Sequence, residues 1–165
     1  MADSFGPLRV ALQRHGYQID TSEFRGSPVL VGRTSAFRWR WMASRLHTFV
    51  VVADFSSEVI ERSELDRFLS VACGYAKSKK GGLPRGLQTG TATVAVALVR
   101  GDASTAEQWA SNNHGTAFAT IAYPVVANLD SGVVTHPGRM IVGALFNSHL
   151  RSVADDLIGD AVRSQ

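Results

Sequence analysis

The hydrophobic patterning of this chain predicts an α+β fold, a sandwich of one mostly antiparallel sheet with helices on at least one face. Three observations lead there. Apolar residues recur at helical spacing near the start, after Ser63, after Ser104 and at the end of the chain. β-prone runs fall between these segments, several in direct succession, and the first half lacks the strict strand-helix alternation of a doubly wound parallel sheet. No repeat, low-complexity tract or long linker divides the 165 residues, so positions 1–165 are read as a single domain.

The elements follow in order. Asp3 and Ser4 are candidate caps for a short helix bearing Phe5, Leu8, Ala11 and Leu12, which stops at His15-Gly16. Tyr17 and Ile19 alternate with polar neighbours, and Val29-Leu30-Val31 follows Pro28, giving two short strands. Phe37, Trp39 and Trp41 alternate with Arg38 and Arg40, so an extended chain places three rings on one face and two guanidinium groups on the other. The reading favoured for it is a sheet edge with a buried aromatic face. Leu46 to Phe55 is apolar on both faces and reads as a central strand. Ser63 and Asp66 have capping spacing, and Leu65, Phe68, Leu69, Ala72 and Ala76 form one stripe of a helix whose exit carries Lys77, Lys79, Lys80 and Gly81-Gly82.

Thr91 to Val99 is a near-continuous run of small and β-branched residues, expected to be covered on both faces. Ser104 and Glu107 then have capping-box spacing for a helix that turns Trp109 to the core and stops at Asn112, Asn113 and Gly115. Phe118 to Leu129 reads as a long strand in which Pro124 marks an edge, a bulge or a bend. Asp130-Ser131-Gly132 supplies a turn, Val133 to Thr135 returns as the hairpin partner, and Met140 to Val142 is a short further strand or bridge. Phe146, Leu150, Val153, Leu157, Ile158 and Ala161 mark a final helix.

Bulk properties narrow the setting. The one cysteine, Cys73, has no internal partner for a disulfide, and the first fifteen residues lack the apolar stretch of a secretory signal, so a cytoplasmic location is expected. The longest uncharged stretches, Gly86 to Val99 and Gly115 to Leu129, are shorter than the roughly 20 apolar residues of a membrane span, so no membrane partner is expected. Charge is uneven. Residues 1–100 carry 14 of the 17 Lys and Arg but only 8 of the 14 Asp and Glu, which favours an anionic ligand or acidic partner.

The search for chemistry returns few constellations. His15, His47, His114, His136 and His149 form no close pair with one another or with Cys73 at metal-ligand spacing, so no metal site is expected. There is no phosphate loop, nucleophile elbow or dinucleotide fingerprint, and no cofactor is expected. Lys77 to Gly90, KSKKGGLPRGLQTG, has the glycines and cations of an anion cradle but lies between a helix and a strand, the reverse of a phosphate loop's setting. Cys73 sits mid-helix beside Phe68, Leu69 and Ala72 and reads as an inert core thiol. His47 is the foremost histidine, because a strand position between Leu46 and Thr48 turns its ring to a core or a cleft. A hydrogen-bonded structural role is favoured for it over a general base.

The segments Ala122-Tyr123-Pro124-Val125-Val126 with Asp130-Ser131-Gly132, Leu46-His47-Thr48-Phe49 and Gly86-Leu87-Gln88 resemble a family of small prokaryotic α+β proteins of unassigned activity, over residues 25–155. That resemblance implies no catalytic residue.

Three functional expectations follow. The leading one is a non-catalytic binding or interaction domain that self-associates through the hairpin at Asp130 or the aromatic strand at Trp39, with Arg38, Arg40, Arg45 and Trp39 as its binding residues. An enzyme instead requires a cleft that joins His47 to Arg45, His114 or Asp130. Nucleic-acid binding is not favoured, and requires Arg33, Arg38, Arg40, Lys77, Lys79 and Lys80 to gather on one face.

Overall fold

Valine and alanine alternate from Val94 to Ala97, and there each set faces a different layer of helices. The computed structural model describes residues 5–41, 44–56, 59–79, 89–112, 115–117, 120–138 and 144–164. Its elements are α1 (Gly6–Arg14), β1 (Gln18–Phe24), β2 (Ser27–Arg38), a 3-10 turn (Trp39–Trp41), β3 (Ser44–Asp54), α2 (Arg62–Lys79), β4 (Thr89–Val99), α3 (Ser104–Asn112), β5 (Gly115–Ala117), β6 (Thr120–Asn128) and β7 (Val134–Thr135). A second 3-10 turn (Ala144–Phe146) leads into α4 (Asn147–Ser152), a π-helical stretch (Val153–Ile158) and α5 (Gly159–Arg163), three segments that together make the C-terminal helix. No helix among the described residues is long and apolar enough to cross a membrane.

The strands form one mixed sheet in the order β1-β2-β3-β4-β6-β5, with β7 also on β6. The α+β class read from the sequence holds. The β1/β2, β2/β3, β5/β6 and β6/β7 pairs are antiparallel, while β3/β4 and β4/β6 at the centre are parallel and joined through α2 and α3. Helices cover both faces. Val94, Val96 and Leu98 of β4 meet α1 and the C-terminal helix through Leu8, Leu12, Leu150, Leu157 and Ile158. Ala95 and Ala97 point the other way, where their small side chains sit in one core with Leu65, Phe68, Ala72 and Trp109 of α2 and α3. At Gly32 of β2 an added Cβ lands 3.0 Å from a Leu12 methyl, so a larger residue there presses on the Leu12 and Tyr17 side chains.

Local details correct several expectations. Phe37, Trp39 and Trp41 do not share a face, because β2 ends at Arg38 and the 3-10 turn replaces alternation by about 120° of rotation per residue. Trp41 is therefore buried in the α1-side core against Phe146 and His149 at ring distances of 5.1 and 5.4 Å, and Phe37 and Trp39 stay exposed. Ser63 lies inside α2, whose first turn closes on the Glu61 carbonyl, and its hydroxyl bonds the Glu61 carboxylate. Likewise α3 begins at Ser104 itself, with Asp102 accepting the Ser104 N–H. Phe5 stands at the α1 N-cap with no side-chain cap, and Asp3 and Ser4 lie outside the described residues. So do Lys80, Gly81-Gly82, Asn113, His114 and Met140 to Val142.

Pro124 finds its place between two short partners. β5 pairs residues 120–122 of β6 and β7 pairs 126–127, so Tyr123, Pro124 and Val125 have no strand on that side among the described residues. A missing ladder donor costs least there.

Candidate functional site

Open sheets with parallel strands commonly bind ligands beyond the carboxyl ends of those strands. Among the described residues there, Asp54, Asn128 and Asp130 are engaged in closing turns. Asn128 accepts the N–H groups of Asp130 and Ser131 and donates to the Gly101 carbonyl at 3.1 Å. Asp130 takes the Gly101 N–H at 2.9 Å and the Arg100 guanidinium at 2.7 Å, and these two partners, the backbone N–H first, hold its carboxyl below the usual range. Asp54 is similarly occupied by the Ser56 N–H at 2.8 Å.

The opposite end of the sheet differs. On the α2 face, Ser35, His47, Thr91 and Thr120 form a polar row across β2, β3, β4 and β6, as their pairings place them side by side. Apolar residues fill this face further along the strands, up to Val31, Val51, Ala95 and Ala122. At the β2–β3 end of this row, Ser35 and His47 meet Lys79, the last residue of α2. A cleft of ≈ 480 Å³ lies there, lined by Gly16, Gln18, Arg33, Thr34, Ser35, His47, Phe49 and Lys79. A smaller hollow of ≈ 200 Å³ shares Gln18, Arg33, Phe49 and Lys79 with it and adds Asp20 and Tyr75.

The charges of the cleft are set by β1, β2 and α2. Arg33 donates one hydrogen bond to Gln18 Oε1 at 2.9 Å, and the Lys79 ammonium lies 5.7 Å from the Tyr75 ring centroid. Among the described residues, neither cation has a carboxylate within ion-pair distance. Asp20 is the nearby acid. It is held by the Thr21 N–H at 2.8 Å and the Tyr75 hydroxyl at 3.1 Å, which, with Lys79 and Arg33 close by, lower its pKa. His47 forms part of the wall, but its Nε2 atom is shielded from solvent, a poor placement for a general base.

The remaining candidates scatter. Arg45 is exposed on the same face as His47, cross-strand from Phe37. Arg38 points to the other face, its guanidinium carbon 5.2 Å from the Trp41 ring centroid. Asp130 is separated from His47 by the length of the sheet, because Asn128 lies eight residues along β6 from Thr120, about 26 Å at the usual strand rise. His114 lies outside the described residues, and the Arg40 side chain is likewise not described. Of the basic residues grouped in the sequence, Arg33 and Lys79 meet at the cleft, while Arg38 does not join them.

A second polar cluster escaped sequence reading. His136 places Nε2 2.9 Å from Asp155 Oδ1 and Nδ1 3.0 Å from the Tyr123 hydroxyl and 2.8 Å from the Pro137 carbonyl oxygen. Both ring nitrogens are engaged, so the cluster fastens β6 to the C-terminal helix and leaves no nitrogen for a substrate. The adjoining depression of ≈ 740 Å³ is larger than the cleft, but its Arg151 stands among Asp155 and Asp156, and Ser152 already donates to Asp156 at 2.7 Å. No group of three or more His, Cys, Asp or Glu side chains able to hold a metal ion occurs among the described residues.

Compared with family models, curated proteins and solved structures, the chain matches none.

Proposed function

We propose that this chain is a non-catalytic binding domain whose cleft at the end of α2 holds an anionic group, a carboxylate or a phosphate. The observation that carries this reading is the pairing of Arg33 and Lys79 in a polar cleft without a carboxylate at ion-pair distance among the described residues. Arg33 supplies a planar fork of donors and Lys79 a mobile point charge, a combination suited to an oxyanion. Gln18 accepts from Arg33 and so fixes the fork without neutralising it. The shielded His47 nitrogen supports binding over catalysis.

Calorimetric titration with inorganic phosphate and with a dicarboxylate at low salt tests the reading. Both anions are expected to bind, more weakly as salt rises. Arg33→Gln or Lys79→Gln is expected to weaken binding about tenfold, the loss of one charged hydrogen bond. Absence of binding by either anion, or binding indifferent to both substitutions, overturns it.

A further inference from the structure

β1 and β2 pair only from Gln18 opposite Arg33 to Phe24 opposite Ser27, yet β2 continues to Arg38. Its last five residues, Thr34 to Arg38, pair with β3 on one side and with no strand on the other among the described residues. That leaves a row of backbone donors and acceptors at strand spacing, the template on which an extended chain adds itself.

The side chains around this edge identify the occupant. Phe37 is 46% exposed and Trp39 80% exposed, packed edge to face with ring centroids 5.5 Å apart. Arg33 and Arg45 share the Phe37 face, and Arg38 lies on the other. From Arg33 to Ala53 the chain contains four arginines and no aspartate or glutamate. A second copy of this chain, paired edge to edge, sets these arginines against their own kind, so self-association here is disfavoured. A nucleic acid suits the charge but makes no use of the backbone edge. A polypeptide strand with carboxylates and an apolar or aromatic residue uses all three features.

We infer that the free edge of β2 takes up an acidic, extended polypeptide as an added strand, with one of its carboxylates in the cleft between Arg33 and Lys79. This rests on the anion-binding reading above and names its ligand. The added strand continues the line of β1 past Gln18, which brings its side chains over Ser35 and Phe37, and Trp39 closes over its far end.

The test uses a labelled peptide of about six residues, the usual strand length, made of alternating Glu and Val with one Phe. Two further versions are N-methylated, each at one alternate set of residues, because successive N–H groups of a strand face opposite neighbours. Fluorescence anisotropy at low salt is expected to show binding of the parent peptide and of one methylated version, with the other at least about tenfold weaker. Trp39→Ala, an exposed change that leaves the core intact, is expected to weaken binding about tenfold as well. Equal binding of all three peptides overturns the added strand while the phosphate titration continues to support the cleft. Binding of a mixed-sequence oligonucleotide in place of the peptide overturns it, and so does a concentration-dependent dimer in sedimentation that the peptide leaves intact. If phosphate, dicarboxylate and peptide all fail to bind, the cleft reading falls together with this one.

Discussion

Replacing Trp109 with phenylalanine probes how α2, the helix that carries Tyr75 and Lys79 to the cleft, is braced. Trp109 of α3 is completely buried, and its Nε1–H donates to Asp66 Oδ1 of α2 at 2.9 Å. Phenylalanine removes that bond to a charged acceptor, about 1.5–3 kcal/mol. The void left by the smaller ring adds roughly 1 kcal/mol. The total of about 3 kcal/mol is a large share of the ~5–15 kcal/mol that holds a typical domain together. It corresponds to a fall in Tm of roughly 6–12 °C for a chain of this size. Urea unfolding followed by circular dichroism measures the loss, and a cycle with Asp66→Ala isolates the bond. The two substitutions are expected to be non-additive by about 1 kcal/mol or more. A loss under about 0.5 kcal/mol for Trp109→Phe, within the range of ordinary surface changes, refutes the bracing role. Strict additivity with Asp66→Ala refutes the bond.

Other consequences follow from groups whose titration the fold alters. Asp20, Asp102 and Asp130 have carboxyls lowered chiefly by backbone N–H bonds, so their stabilisation is complete above the ordinary carboxylate value and is lost as pH falls through the lowered one. Asp130→Asn is expected to lower stability at neutral pH and to flatten its decline in acid, in urea titrations across pH. Burial pushes the Tyr17 and Tyr123 phenols up to about 12, so they keep their protons in the folded state where an unfolded chain has lost them. Stability is then expected to fall as pH rises from about 10 towards 12, with phenolate absorbance appearing only at the upper end. Tyr123→Phe, which removes the hydroxyl beside His136, is expected to cost about 1 kcal/mol in urea unfolding and to leave phosphate binding unchanged. Cys73 is buried and its thiol is pushed up to about 11, so iodoacetamide is expected to label it only at the rate of unfolding, and rapid native labelling contradicts its place in the core.

Much of the fold was legible in local pattern. The α2 stripe, the two-sided β4 run, the Asp130 turn with its β7 return and the final helix all follow from spacing between near neighbours. Parallel pairing at the centre was not, because β3, β4 and β6 meet only through crossovers that periodicity does not encode. The aromatic alternation misled because a 3-10 turn has no apolar signature of its own, and three residues of it suffice to bury Trp41 in the α1-side core while Phe37 stays exposed on the other face. His47 could be singled out as a strand histidine, but its neighbours could not. Gln18 and Lys79 reach the cleft from β1 and from the end of α2, each more than twenty residues away in the chain. The Tyr123, His136 and Asp155 cluster was invisible for the same reason, since nothing at those spacings marks three partners of one hydrogen-bonded chain.

The most direct test of the account is an amide chemical-shift map of the full chain titrated with inorganic phosphate. Binding in the cleft predicts that the largest changes fall on Gln18, Arg33, Thr34, Ser35, His47 and Lys79, and that Arg33→Gln requires about tenfold more phosphate to produce them. Changes centred on Gly101, Asn128 and Asp130, at the carboxyl ends of the parallel strands, contradict it, as does a titration that moves no resonance.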